Sequence, residues 1–202
     1  MTSVRAARVG GLLEAVAGGW PGFGRGVLAA LTVAQAAALA GHAIRTSAGD
    51  HGLAPVTGEV AAACARLQDL GLVLAEATEA AHEDALAPHG GTWIGMEVLP
   101  EVGSAVVDVP VQIAEAAAEA ARIAVLLFAS IRRGPRAAAA AAALLASAAA
   151  ATAASIVVEN LGWHPEGSTS PDAIASVEAA REAAHRAGAR MDEIRGGIPW
   201  LA

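Results

Sequence analysis

The stretch from Glu76 to Asp84 (EATEAAHED) sets carboxylates and an imidazole at helical spacing. Glu79 and His82 are three residues apart, so a helix brings them onto one face, where the carboxylate can orient the ring as a general acid or base. Glu76 lies one turn further back. A solvated polar face is the other reading of the same pattern. Two further carboxylates stand on apolar helical surface: Glu115 within VPVQIAEAAAEA, and Glu159 beside Asn160 at the end of a long alanine tract. A carboxylate set among alanine and valine is expected to hold its proton more tightly, unless it sits at an exposed helix edge. Asn160 can present its amide to a ligand or cap its helix.

A glycine-rich loop offers a seat for an anion. The segment Gly18 to Gly26 (GGWPGFGRG) is a glycine-rich loop feeding a helix, and it contains Pro21, Gly22, Gly24 and Arg25. Free backbone N–H groups at a helix start attract carboxylate or phosphate, and the Arg25 guanidinium adds a forked donor. A tight turn that needs glycine for positive φ explains the same residues without a ligand. No metal centre is predicted: His42, His51, His89, His164 and His185 show no ligand spacing, and Cys64 has no partner. Trp93 and Trp163 fall in glycine-containing loops, where a ring can stack on a ligand or anchor the loop to the core.

Helices must position these groups. No Val/Ile/Thr-rich alternating run is bounded by hairpin turns, and Gly and Pro delimit the apolar stretches. The predicted helices are Ser3 to Val16, Val27 to Arg45, Thr57 to Leu86, one from Val109-Pro110 to Ser130, one from the turn Arg132–Arg136 to Asn160, and one from Ser170-Pro171-Asp172 to Ile194. Asp108 is read as an N-cap with Pro110 in the first turn behind it. Gly71 is a possible bend in the third helix. The fold class expected is all-α, a single-domain array of about six to seven helices over residues 1–202.

Composition narrows the partners. Hydrophobic residues make up 55% of the 202-residue chain and aromatics only 3%, so alanine and leucine carry the apolar surface and helices can approach closely. A net charge of -7 gives a nucleic-acid partner no electrostatic support. The largest basic cluster, Arg132, Arg133 and Arg136, is large enough for one anionic group only. Residues 137–158 carry no charge and are long enough to span a bilayer, and residues 26–42 are also uncharged. Both are mostly alanine, which contributes little to insertion, so buried helices of a soluble protein are expected. The start, Met1 to Val9, lacks an apolar run of signal-peptide length. With a single cysteine, expected buried, the chain fits the cytoplasm.

Three segments together resemble the methenyltetrahydrofolate cyclohydrolases and formiminotetrahydrofolate cyclodeaminases. Leu12 to Leu39 (LLEAVAGGWPGFGRGVLAALTVAQAAAL) is similar to that family's opening helix, its Pro-Gly-Gly-Gly-Ser loop and the small-residue helix after it; Pro21, Gly22 and Gly24 match, Phe23 and Arg25 do not. Val109 to Ala120 resembles its Val-Pro-Leu-x-Ile-Ala-Glu segment, with Glu115 on the glutamate. Ala143 to Leu161 (ALLASAAAATAASIVVENL) is similar to a helix that ends in Asn-Leu. The resemblance covers about residues 8–190. It implies an all-α homodimer with a groove for a small heterocyclic substrate, no metal, and a tetrahydrofolate derivative as substrate rather than cofactor. The family's catalytic aspartate, counted back without gaps, falls on Ala138. His82 is then the first side chain expected to replace it.

Two functions follow as expectations. One is a divergent enzyme that makes or breaks a C–N bond, with His82, Glu79 and Glu115 catalytic and Pro21, Gly22, Gly24, Arg25, Asn160 and Glu159 binding substrate. The other is a non-catalytic ligand-binding or scaffolding homodimer. A membrane-associated helical protein is the third reading.

Overall fold

The computed structural model describes residues 9–18, 24–47, 57–86, 105–131, 135–161 and 171–197. These form six α-helices: α1 (Val9–Ala17), α2 (Arg25–Thr46), α3 (Thr57–Leu86), α4 (Ala105–Ser130), α5 (Arg136–Asn160) and α6 (Pro171–Gly196). No strand occurs among the described residues, so the chain is all-α. The α3 limits are those read from the sequence.

The start of α4 differs from expectation. The helix begins at Ala105, so Asp108 lies inside the first turn and Pro110 stands within the helix. A proline there removes one helical donor, and the carbonyl it leaves without a partner is taken up from another helix, as described below.

Helices α2 to α6 share one core. Helix α4 packs against α2, α3, α5 and α6, α5 packs against α2, α4 and α6, and α2 also packs closely on α3. Nine of the eleven buried residues of α5 are alanines, the others being Ile156 and Val157. With side chains of one carbon, backbones come close enough for dispersion to act between main chains, and burying alanine costs no rotamer entropy.

The α2–α3 crossing is closest at glycine. A Cβ on Gly71 would stand 2.8 Å from the Ala30 carbonyl oxygen and 2.8 Å from the Ala34 nitrogen, both backbone atoms. One on Gly26 would meet Thr78 Cγ2 at 2.6 Å. Gly71 is thus the contact point with α2. At the other end of the crossing, Gly41 faces Cys64, whose buried thiol has its pKa raised by desolvation.

Helices α2 and α5 are each long and apolar enough to cross a membrane, with mean hydropathies of 1.7 and 2.0. In this fold 61% and 50% of those spans are buried against neighbouring helices.

Candidate functional site

Helices α2 to α5 alternate in direction, and three contacts fix which ends meet. Arg25, at the start of α2, pairs with Glu159 at the end of α5 through two contacts, one of them an Nη1–Oε1 hydrogen bond of 2.7 Å. Asn160 Nδ2 donates to the Val106 carbonyl oxygen at 2.7 Å, joining the end of α5 to the start of α4. Gly26 meets Thr78, next to Glu79, near the end of α3. Gly24, Arg25, Glu79, His82, Glu159 and Asn160 therefore all belong to one end of the bundle. Pro21 and Gly22 lie outside the described residues, as do Trp93 and Trp163.

At that end the two groups placed on α3 are the unusual ones. Glu79 is 8% exposed, one of two buried polar or charged residues among those described. Desolvation raises its pKa, and the nearby Glu83 and Glu76 carboxylates raise it further. His82 is half-buried, and burial lowers its pKa against the opposing pull of Glu83. One turn of helix thus carries a carboxyl biased toward its protonated form and an imidazole biased toward its neutral form. Such opposed shifts suit an acid and a base.

The other predicted residues have different surroundings. Gly24 is the N-cap of α2 in an extended conformation (φ -107°), with no side-chain cap bond. Positive φ is not what requires glycine there. Arg25 and Glu159 are exposed, with side-chain accessibilities of 63% and 48%. The hydrogen bond between them raises the guanidinium pKa and lowers that of Glu159, which stands at an exposed helix edge, the other of the two readings of this carboxylate. Because the pair is exposed, Arg25→Ala is expected to lower stability by less than about 1 kcal/mol in chemical denaturation. A loss above about 2 kcal/mol would mean that the pair is more deeply integrated than its exposure indicates.

Glu115 stands apart. It is exposed on α4, ten residues beyond Ala105, or about 15 Å along the axis at 1.5 Å per residue. Arg136 lies at the other end of the bundle and is already engaged: its guanidinium lies 4.1 Å from the centre of the Phe128 ring, and its Nε donates to the Phe128 carbonyl at 3.2 Å. Arg132 and Arg133 fall outside the described residues.

Ala138 lies far from His82. It occupies the first turn of α5, and 22 residues separate it from Asn160, about 33 Å along the helix. His82, near the end of α3, and position 138 lie at opposite ends of the bundle.

Sequence reasoning missed the role of Pro110. Its absent N–H is the one that would bond the carbonyl four residues earlier, on Val106, and that carbonyl receives the Asn160 amide instead. The signal was present as a proline six residues into a helix. Its partner was not, since Asn160 is 54 positions away.

An open groove lies between the starts of α4 and α6, lined by Asp108, Val111, Gln112, Ala175, Ser176 and Ala179. None of the predicted site residues lines it. Among the described residues no group of three or more His, Cys, Asp or Glu is placed to hold a metal ion. No protein-family model matches this chain, and no curated protein does.

Proposed function

We propose that the chain is a divergent enzyme of cyclodeaminase or cyclohydrolase type, working by general acid/base catalysis on a C–N bond of a small heterocycle, with no cofactor. The observation that carries this reading is the pair on α3, a buried Glu79 with a raised pKa one turn from a His82 with a lowered one. Breaking or forming a C–N bond requires a proton delivered to nitrogen and another removed from water or amine. In this reading Glu79, whose carboxyl holds its proton more tightly than an exposed one, is the donor, and His82 is the acceptor. Gly24 and the backbone N–H groups opening α2 face the same end and supply the anion-binding element. Glu115 has no part in this arrangement. The substrate is folate-like or a specialised metabolite, and the working compartment is the cytoplasm.

Folate-type and other pterin-like heterocycles, added to the purified chain while tryptophan fluorescence is followed, provide the first test. Turnover of any compound that binds should fall at least about 100-fold in both His82→Ala and Glu79→Gln. A full rate in His82→Ala would end the assignment.

One observation favours the second reading, a ligand-binding or scaffolding homodimer without catalysis. Arg25, Glu159 and Asn160 are all engaged in contacts that join helices. Heterocycle binding without turnover, undiminished in Glu79→Gln, would favour it.

A further inference from the structure

We propose that the first turn of α4, Ala105 to Val109, is an openable flap, latched by Asn160 through the carbonyl that Pro110 leaves without its helical donor. The proposal is independent of the chemistry assigned to Glu79 and His82. In an uninterrupted helix each carbonyl accepts from the N–H four residues on, and the first turn is held to the second by a continuous row of such bonds. Pro110 removes one from the row at Val106. The replacement comes from outside the helix, from Asn160 Nδ2 at 2.7 Å in an exposed hydrogen bond, so one of the bonds that hold this turn is supplied by the end of α5.

What the flap carries gives the opening a consequence. Val109 is buried and Val107 packs partly against the core, whereas Asp108 lies on the outer side and lines the groove shared with Ala175 and Ser176 of α6. Releasing Asn160 lets Asp108 leave that groove. The groove is therefore shaped when the latch is closed and widened when it is open, and a donor that competes with Asn160 for the Val106 carbonyl shifts the balance.

Hydrogen exchange read by mass spectrometry on the full chain tests this. Asn160→Ala is expected to speed exchange about tenfold at the helically bonded amides of residues 109 and 111–113 while leaving peptides from α3 and α6 unchanged. Asn160→Asp, of the same shape but with an acceptor in place of the donor, must do the same. Adding Pro110→Ala to either variant gives residue 110 an N–H for the Val106 carbonyl and should restore slow exchange. Unchanged exchange in Asn160→Asp, a uniform acceleration over all helices, or no recovery with Pro110→Ala would each overturn the latch.

Discussion

Valine at position 71 is expected to lower stability by about 3 kcal/mol, a drop of roughly 6–12 °C in the thermal midpoint. The reason is the identity of the atoms in the way. A Cβ there meets the Ala30 carbonyl oxygen and the Ala34 nitrogen at 2.8 Å, and these belong to a buried helix that cannot rotate a side chain aside. Either α2 and α3 move apart along their length or the helix deforms locally. Even Gly71→Ala should destabilise, although alanine in place of a helical glycine ordinarily gains about 1 kcal/mol. Gly58 and Gly188 supply the contrast: nothing lies within 4 Å of a Cβ at either. Gly58→Ala and Gly188→Ala are expected to stabilise by up to about 1 kcal/mol. Thermal unfolding of the four variants decides the matter, and a stabilised Gly71→Ala would show that the crossing has slack.

Glu79→Gln is expected to stabilise the folded chain on the order of 1 kcal/mol at pH 8, with the gain vanishing toward pH 4.5. A carboxyl with a raised pKa binds its proton more tightly folded than unfolded. Its contribution to stability is fully present below the unfolded value, near 4.5, and is lost as pH rises through the folded value. Glutamine keeps the shape and the neutral state at every pH, so the variant should outlast the parent only where the parent is ionised. His82 titrates with the opposite sign. Its lowered pKa gives a contribution present above about pH 6.5 and lost as pH falls through the folded value. Surface carboxylates such as Glu159 and Glu119, whose pKa values are lowered by arginine partners, also favour the fold at higher pH. The diagnostic quantity is therefore the difference between variant and parent, from midpoints taken at intervals between pH 4.5 and 8. Parallel curves would show that Glu79 ionises in the fold as readily as in the unfolded chain.

The helices were legible in the sequence because their limits are local. Thr57 to Leu86 is framed by breaking residues on both sides, and the alanine tract ends at Asn160 as read. The start of α4 was misread because the rule placing proline in a first turn assumes that an interior proline leaves a carbonyl unsatisfied. Here Asn160 satisfies it, from a helix whose proximity no local rule contains. The candidate site divides in the same way. Spacing put Glu79 and His82 on one face, and burial then distinguished them from the solvated charges of α6. That Arg25 and Glu159 would meet, and that Ala138 would fall at the far end from His82, depends on the antiparallel order of the helices. The resemblance aligned residues along the chain and carried no such information.

The alanine-built core also determines how the protein would respond to systematic substitution. In most proteins an alanine scan finds the core, because cutting large side chains back leaves holes. Here much of the interior, from Ala139 to Ala154 in α5 and along α2 and α4, is alanine already, and such a scan would pass over it in silence. A leucine scan would do the reverse, marking each buried alanine by the room it lacks and leaving the exposed ones quiet. In such a core the tolerated direction of change is polarised, and variation should be confined to Gly, Ala and Ser at these positions.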